Sequence, residues 1–178
     1  MRFASMRNLD ISNGEGVGVS LFVQGCDRHC FNCFNPDTWD FNGGKEWTEE
    51  TKNKFIKLID RPYINRISVL GGEPLAEQNL DEVLSLIKEI RISFPDKTIW
   101  LYTGYTWENL INVNYPLDSE WENRILRKSI IELCDVLVDG EYIDEQRDIT
   151  LKWCGSSNQR VIDVEQSLAQ NKVVLYCN

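Results

Sequence analysis

The chain has 178 residues, enough for one well-filled core and too few for two ordinary ones, so 1–178 is expected to form a single domain. It is 42% hydrophobic and 26% charged, and its 28 acidic against 19 basic residues give a formal charge of -9, which opposes attraction to phosphate backbones, so no nucleic acid partner is expected. The opening MRFASMRNLD lacks the apolar stretch of a secretory signal, and no run approaches the roughly 20 apolar residues of a membrane span, so the expected location is cytoplasmic, with no membrane partner.

In chain order, Asn13-Gly14-Glu15-Gly16 reads as a turn, and the β-branched run 17–23 after it is expected to be a buried strand ending at Gly25. The stretch 48–60 is an expected helix with Thr48 as N-cap, Glu49 and Glu50 in its first turn, and Phe55, Ile56 and Ile59 as an apolar stripe. A second strand, 67–70, runs into Gly71-Gly72-Glu73-Pro74. Asn79 with Glu82 then caps a helix carrying Leu80, Val83, Leu84, Ile87 and Ile90 on one face. A third strand, 98–102, ends at Thr103-Gly104, and a helix over 124–133 precedes a fourth strand, 136–138. The runs 161–164 and 173–176 are candidates for further strands. Strand and helix alternate at spacings suited to parallel crossovers, which indicates an α/β fold.

Six cysteines stand at 26, 30, 33, 134, 154 and 177, three of them within eight residues directly after the first strand. That is the end of the strand where α/β folds place their chemistry. In a reducing compartment this density points to metal ligation rather than a disulfide framework. Thiolates of Cys26, Cys30 and Cys33 can converge on one iron-sulfur cubane, and three ligands leave one iron with an open coordination position. The thiols alone also allow a zinc site completed by His29 or a distant cysteine, although a side chain between two ligands of one loop is more often their neighbour than a third ligand. The glycines of 71–74 let a backbone approach a ligand closely, while the same segment alone reads more readily as an ordinary strand-to-helix turn. Trp39, Trp100, Trp107 and Trp153 are read as core, and Asp139 as either functional or a turn-former.

The CxxxCxxC spacing of Cys26, Cys30 and Cys33 resembles the signature of the radical S-adenosylmethionine superfamily, and Gly71-Gly72-Glu73-Pro74 resembles its GGEP element. The likeness narrows to the anaerobic ribonucleoside-triphosphate reductase-activating proteins through Asn13–Gly16, Gly25-Cys26, 35–39 (NPDTW), 100–105 (WLYTGY), 138–140 (VDG) and 155–160 (GSSNQR). That resemblance implies a minimal, incomplete (β/α) barrel of mostly parallel strands. It implies a 4Fe-4S cluster on Cys26, Cys30 and Cys33 whose free iron takes the amino and carboxylate groups of S-adenosyl-L-methionine. Asn32, Cys33, Phe34, Gly71, Gly72, Glu73, Thr103 and Gly104 are then the expected cofactor contacts. The implied reaction is reductive cleavage to methionine and a 5'-deoxyadenosyl radical, which takes a hydrogen atom from a glycine of the anaerobic reductase. Reduced flavodoxin or a similar protein would supply the electron.

Departures from the pattern are Gly18 and Cys154, where that family often has arginine, Asn32, where many superfamily members have an aromatic, and Phe34, where tyrosine is common. The alternatives are activation of another glycyl radical enzyme such as pyruvate formate-lyase, a small synthase of the 7-carboxy-7-deazaguanine type, or a non-catalytic zinc-binding interaction module.

Overall fold

The computed structural model describes residues 1–112 and 119–177. Its strands are β1 (Arg2–Asp10), β2 (Gly18–Gln24), β3 (Lys45–Glu46), β4 (Arg66–Gly71), β5 (Thr98–Tyr102), β6 (Val136–Asp139) and β7 (Arg160–Asp163), in one sheet of order β3-β1-β2-β4-β5-β6-β7. The four strands β2, β4, β5 and β6 are parallel, as the alternation of elements requires. The flanks are antiparallel: β1 pairs with β2 and β3, and β7 pairs with β6. A mixed α/β sheet with a parallel centre therefore replaces the mostly parallel one expected.

Helices α1 (Glu49–Ile59), α2 (Leu80–Ser93), α3 (Trp107–Ile111), α4 (Trp121–Ile131) and α5 (Val164–Gln170) fill the connections. Thr48 caps α1 as its residue type predicts: its hydroxyl accepts from Thr51 N–H, and Thr51 Oγ1 accepts from Thr48 N–H. Asn79 precedes α2 but makes no capping bond. Its amide instead donates to the carbonyls of Gln24 (3.1 Å) and Glu73 (3.0 Å), pinning the end of β2 to the turn after β4. The helix expected at 124–133 starts and ends earlier, at Trp121 and Ile131. Of the two late candidates, 160–163 forms β7, and Val164 leaves the sheet because the Asp163 side chain accepts from Gln166 N–H and starts α5. Around 173–176 only a bridge between Leu175 and Ile162 forms.

Side chains alternate across each strand, so the sheet has two distinct faces. One is apolar: Val19, Leu21, Val23, Ile67, Val69, Ile99, Leu101 and Leu137 share a core with Phe55 and Ile59 of α1, Val83, Leu86, Ile87 and Ile90 of α2, and Ile130 and Ile131 of α4. The other face carries Ser20, Arg66, Ser68 and Trp100, all fully buried. There Arg66 Nη2 donates to the Asp10 carbonyl at 2.6 Å and lies 3.4 Å from Asp10 Oδ1, with neither side chain exposed. Asp10 also accepts from Ser20 Oγ, Asn13 Nδ2 and the N–H groups of Ser12 and Asn13. Burial raises its pKa, but these donors outweigh it and hold the carboxyl down at about 2. Trp100 packs edge-on against Trp153 and Tyr176 on the same face.

Candidate functional site

The C-terminal ends of β2, β4, β5 and β6 open on one cavity of about 530 Å³. Cys26, Cys30, Cys33, Phe34, Gly71, Gly72, Glu73, Thr103 and Gly104 line it. Residues far apart in sequence thus meet at one place because parallel strands deliver all their exits to the same edge.

The cysteine loop leaves β2 through Gly25, whose φ of 95° lies in the left-handed region and where a Cβ would stand 2.1 Å from the Phe41 ring. Gly25 N–H donates to the Thr38 carbonyl at 2.8 Å and Cys26 N–H to the Trp39 carbonyl at 3.1 Å, folding the loop back on itself. His29 and Asn32 are also left-handed, with φ of 48° and 53°. The three thiols are half-buried, and Cys33 Sγ accepts from Asn35 N–H at 3.3 Å. Burial pushes the Cys26 thiol up, and burial with the nearby Glu141, Cys33 and Cys26 pushes Cys30 up to about 11. A bound cation would release these protons, as metal ligation by thiolates requires.

Soft sulfur donors on one cavity wall, with a backbone N–H on one sulfur, fit an iron-sulfur cluster. Among the described residues no three His, Cys, Asp or Glu side chains gather around a point that would hold a single ion. The corners of a cubane lie on different irons, so its thiolates need not meet around one centre as those of zinc must. His29 stacks on Trp39 at 4.7 Å between ring centroids and is not part of the cavity lining.

The turn after β4 docks directly on the start of the cysteine loop. Gly72 N–H donates to the Val23 carbonyl at 3.0 Å and Glu73 N–H to the Gly25 carbonyl at 2.8 Å, while a Cβ on Gly72 would stand 2.4 Å from that carbonyl oxygen. Glu73 is buried, and its carboxylate accepts from Leu75 N–H (2.9 Å), Thr103 Oγ1 (2.8 Å) and Gly104 N–H (2.8 Å). Burial raises its pKa against the opposing pull of these donors and of Arg28. The carboxylate therefore joins the exits of β4 and β5 to each other.

Asn32 lies outside the lining: its amide donates to Asp144 Oδ2 at 2.9 Å, and Asp144 Oδ1 accepts from Tyr142 Oη at 2.7 Å. Phe34 packs against Tyr142 at 5.0 Å and beside Gly155, where a Cβ would stand 2.8 Å from its ring. The β6–β7 connection is thereby tied across the cysteine loop. Asp139, ambiguous in sequence, is spent inside the fold, accepting from Trp107 N–H at 2.7 Å and pairing with Arg160.

Other lining residues carried no sequence signal of their own. Arg28 sits between two cysteines and could be read only as a surface charge. Tyr102 was legible as strand, yet its hydroxyl is buried at the cavity wall without a hydrogen-bond partner, which suits contact with a bound group. Trp153, read as core, lines the cavity, as does Cys154, one of the positions that departs from the resemblance.

Comparison with known proteins matches residues 12–162 to the 4Fe-4S single cluster domain family. The chain is 36% identical over 163 residues to the anaerobic ribonucleoside-triphosphate reductase-activating protein of Salmonella typhimurium, covering 90% of this chain and 97% of that protein. It is 37% identical over 161 residues to the protein of the same name from Vibrio cholerae, covering 89% and 96%. The corresponding protein of Enterobacteria phage T4 is 32% identical over 163 residues, covering 90% and 93%.

Proposed function

We propose, because the chain belongs to the family of anaerobic ribonucleoside-triphosphate reductase-activating proteins, that it activates an anaerobic ribonucleotide reductase by reductive cleavage of S-adenosyl-L-methionine at a 4Fe-4S cluster, leaving a glycyl radical on the reductase. The observation that carries this reading is the meeting of Cys26, Cys30 and Cys33 with the Gly71-Gly72-Glu73 turn and Thr103-Gly104 around one cavity.

Cys26, Cys30 and Cys33 would hold the cluster, with Asn35 N–H steadying the sulfur of Cys33. The cluster, when bound, supplies the electron that breaks a carbon-sulfur bond of S-adenosyl-L-methionine. The protein's part is orientation and the exclusion of water and stray hydrogen donors. Gly71 and Gly72 offer close backbone approach to the amino group, because both line the cavity and neither carries a side chain. Glu73 serves that subsite indirectly, by fixing the turn to Thr103 and Gly104. Phe34 borders the space for the nucleoside, and Asn32 holds the loop that carries Cys33. The parallel centre of the sheet supports reading the whole chain as one incomplete (β/α) barrel domain. Among the described residues no helix is long and apolar enough to cross a membrane. A cytoplasmic site of action and a reductant such as flavodoxin are proposed on the family resemblance.

The test is anaerobic reconstitution with iron and sulfide, reduction with dithionite, and chromatography for 5'-deoxyadenosine, with electron paramagnetic resonance after addition of an anaerobic reductase. Deoxyadenosine and a glycyl radical are the expected results. Folded, colourless protein that binds zinc and cleaves nothing would move the assignment to an interaction module.

A further inference from the structure

Glu73 puts a buried carboxylate beside the cysteine loop, on a residue whose N–H donates to the Gly25 carbonyl directly before Cys26 at 2.8 Å. One guanidinium answers it. Arg28, two residues after Cys26 and two before Cys30, brings Nε to 3.9 Å from Glu73 Oε2 and Nη1 to 4.0 Å from Glu141 Oε2. Both separations exceed a hydrogen bond, and Nε is buried without a hydrogen-bond partner, so the attraction is Coulombic. Tyr105 fixes the group from the side: the Arg28 guanidinium carbon lies 4.0 Å from its ring centroid, and Arg127 of α4 faces the same ring at 4.7 Å. Gly104 completes the seat, since a Cβ there would stand 2.8 Å from Arg28 Cδ.

We infer that Arg28 is a positioning residue that sets the reduction equilibrium of a cluster held by Cys26, Cys30 and Cys33, by offsetting the charge of Glu73 beside that cluster. The inference rests on the cluster assignment above. One-electron reduction adds a negative charge at the loop and moves no proton, the electron coming from the reductant. A fixed, largely buried cation beside the loop favours that charged product. Arg28 lines the cavity while only about a quarter of its side chain is exposed, so water screens it poorly.

The test is a redox titration of reconstituted protein, followed by the electron paramagnetic resonance of the reduced cluster, for the wild type, Arg28→Gln and Arg28→Lys. Arg28→Gln is expected to lower the reduction equilibrium constant by about tenfold or more, equivalent to about 59 mV for one electron. Arg28→Lys keeps the charge and should stay within about threefold of the wild type, no more than about half of that span. Equal potentials for the wild type and Arg28→Gln, with equal iron and sulfide content, overturn the inference. If Arg28→Gln takes up no cluster, Arg28→Lys carries the test, and a tenfold fall in that variant overturns it. Wild-type protein that takes up no cluster instead overturns the cluster assignment itself.

Discussion

Asn32 Nδ2 donates to Asp144 Oδ2 at 2.9 Å, joining the residue before the third cysteine to the connection between β6 and β7 across more than a hundred positions of sequence. The bond is exposed, so its loss should barely alter global stability. Its effect should appear locally, since it restrains a left-handed residue of the cysteine loop. Asp144→Ala is expected to release iron to a chelator severalfold faster than the wild type at an unchanged melting temperature. Equal release rates would show that the loop holds its shape without this tie.

The three clustered cysteines should be indispensable, and a remote one should not. Cys26→Ala, Cys30→Ala and Cys33→Ala are each expected to abolish 5'-deoxyadenosine formation, whereas Cys177→Ala retains it. Chromatography of the quenched reaction checks this. Equal loss from Cys177→Ala would mean that the ligand set is wrong.

Gly72 has no room for a side chain, because the nearest atom is the backbone oxygen of Gly25, which cannot swing aside. Gly72→Ala should force the turn off the cysteine loop and cost about 1–3 kcal/mol, the range for overpacking a closed site. Urea unfolding measures it. A matching rise in the dissociation constant for S-adenosyl-L-methionine, read by calorimetry on reconstituted protein, is expected if the turn holds the ligand.

Asp10 predicts a stability that depends on acid. Its folded pKa of about 2 lies below the roughly 3.9 of an unfolded aspartate, so its contribution is complete above pH 4 and is lost as pH falls toward 2. Asp10→Asn removes that dependence and leaves Arg66 charged and buried, an arrangement that costs about 3–5 kcal/mol. Unfolding curves at neutral pH and between pH 4 and 2 test both statements. A variant as stable as the wild type at neutral pH would show that the pair contributes nothing there.

The parallel centre was legible because 17–23, 67–70, 98–102 and 136–138 are short apolar runs buried on both faces, bounded by turn residues. β1 was not, because the polar residues of RFASMRNLD interrupt any alternation and most of its side chains are partly or fully exposed. Nor was α5, whose start depends on Asp163 capping it while Val164 still looks like strand. In the site, the cysteines and the glycine turn were visible because their chemistry dictates their spacing. Arg28 and Tyr102 were not, because only the fold brings an ordinary arginine and a strand tyrosine to the lining of one cavity. Asn79 misled for a related reason: its residue type suits a cap, and tertiary carbonyls claimed its amide instead.

From β1 through β2, β4, β5 and β6 to β7, the order of strands across the sheet is their order along the chain, with only the two-residue β3 displaced to the outer edge. Each of these strands therefore attaches to the edge left by the one before it, and none has to be inserted between two already paired. On a ribosome the sheet can grow in the direction of synthesis, with each new strand meeting a finished template. The cysteine loop emerges after β2 and before β4, and its cavity has its full lining only when the connection from β6 to β7 arrives. Metal delivered during translation would thus meet the loop before the rest of its cavity lining.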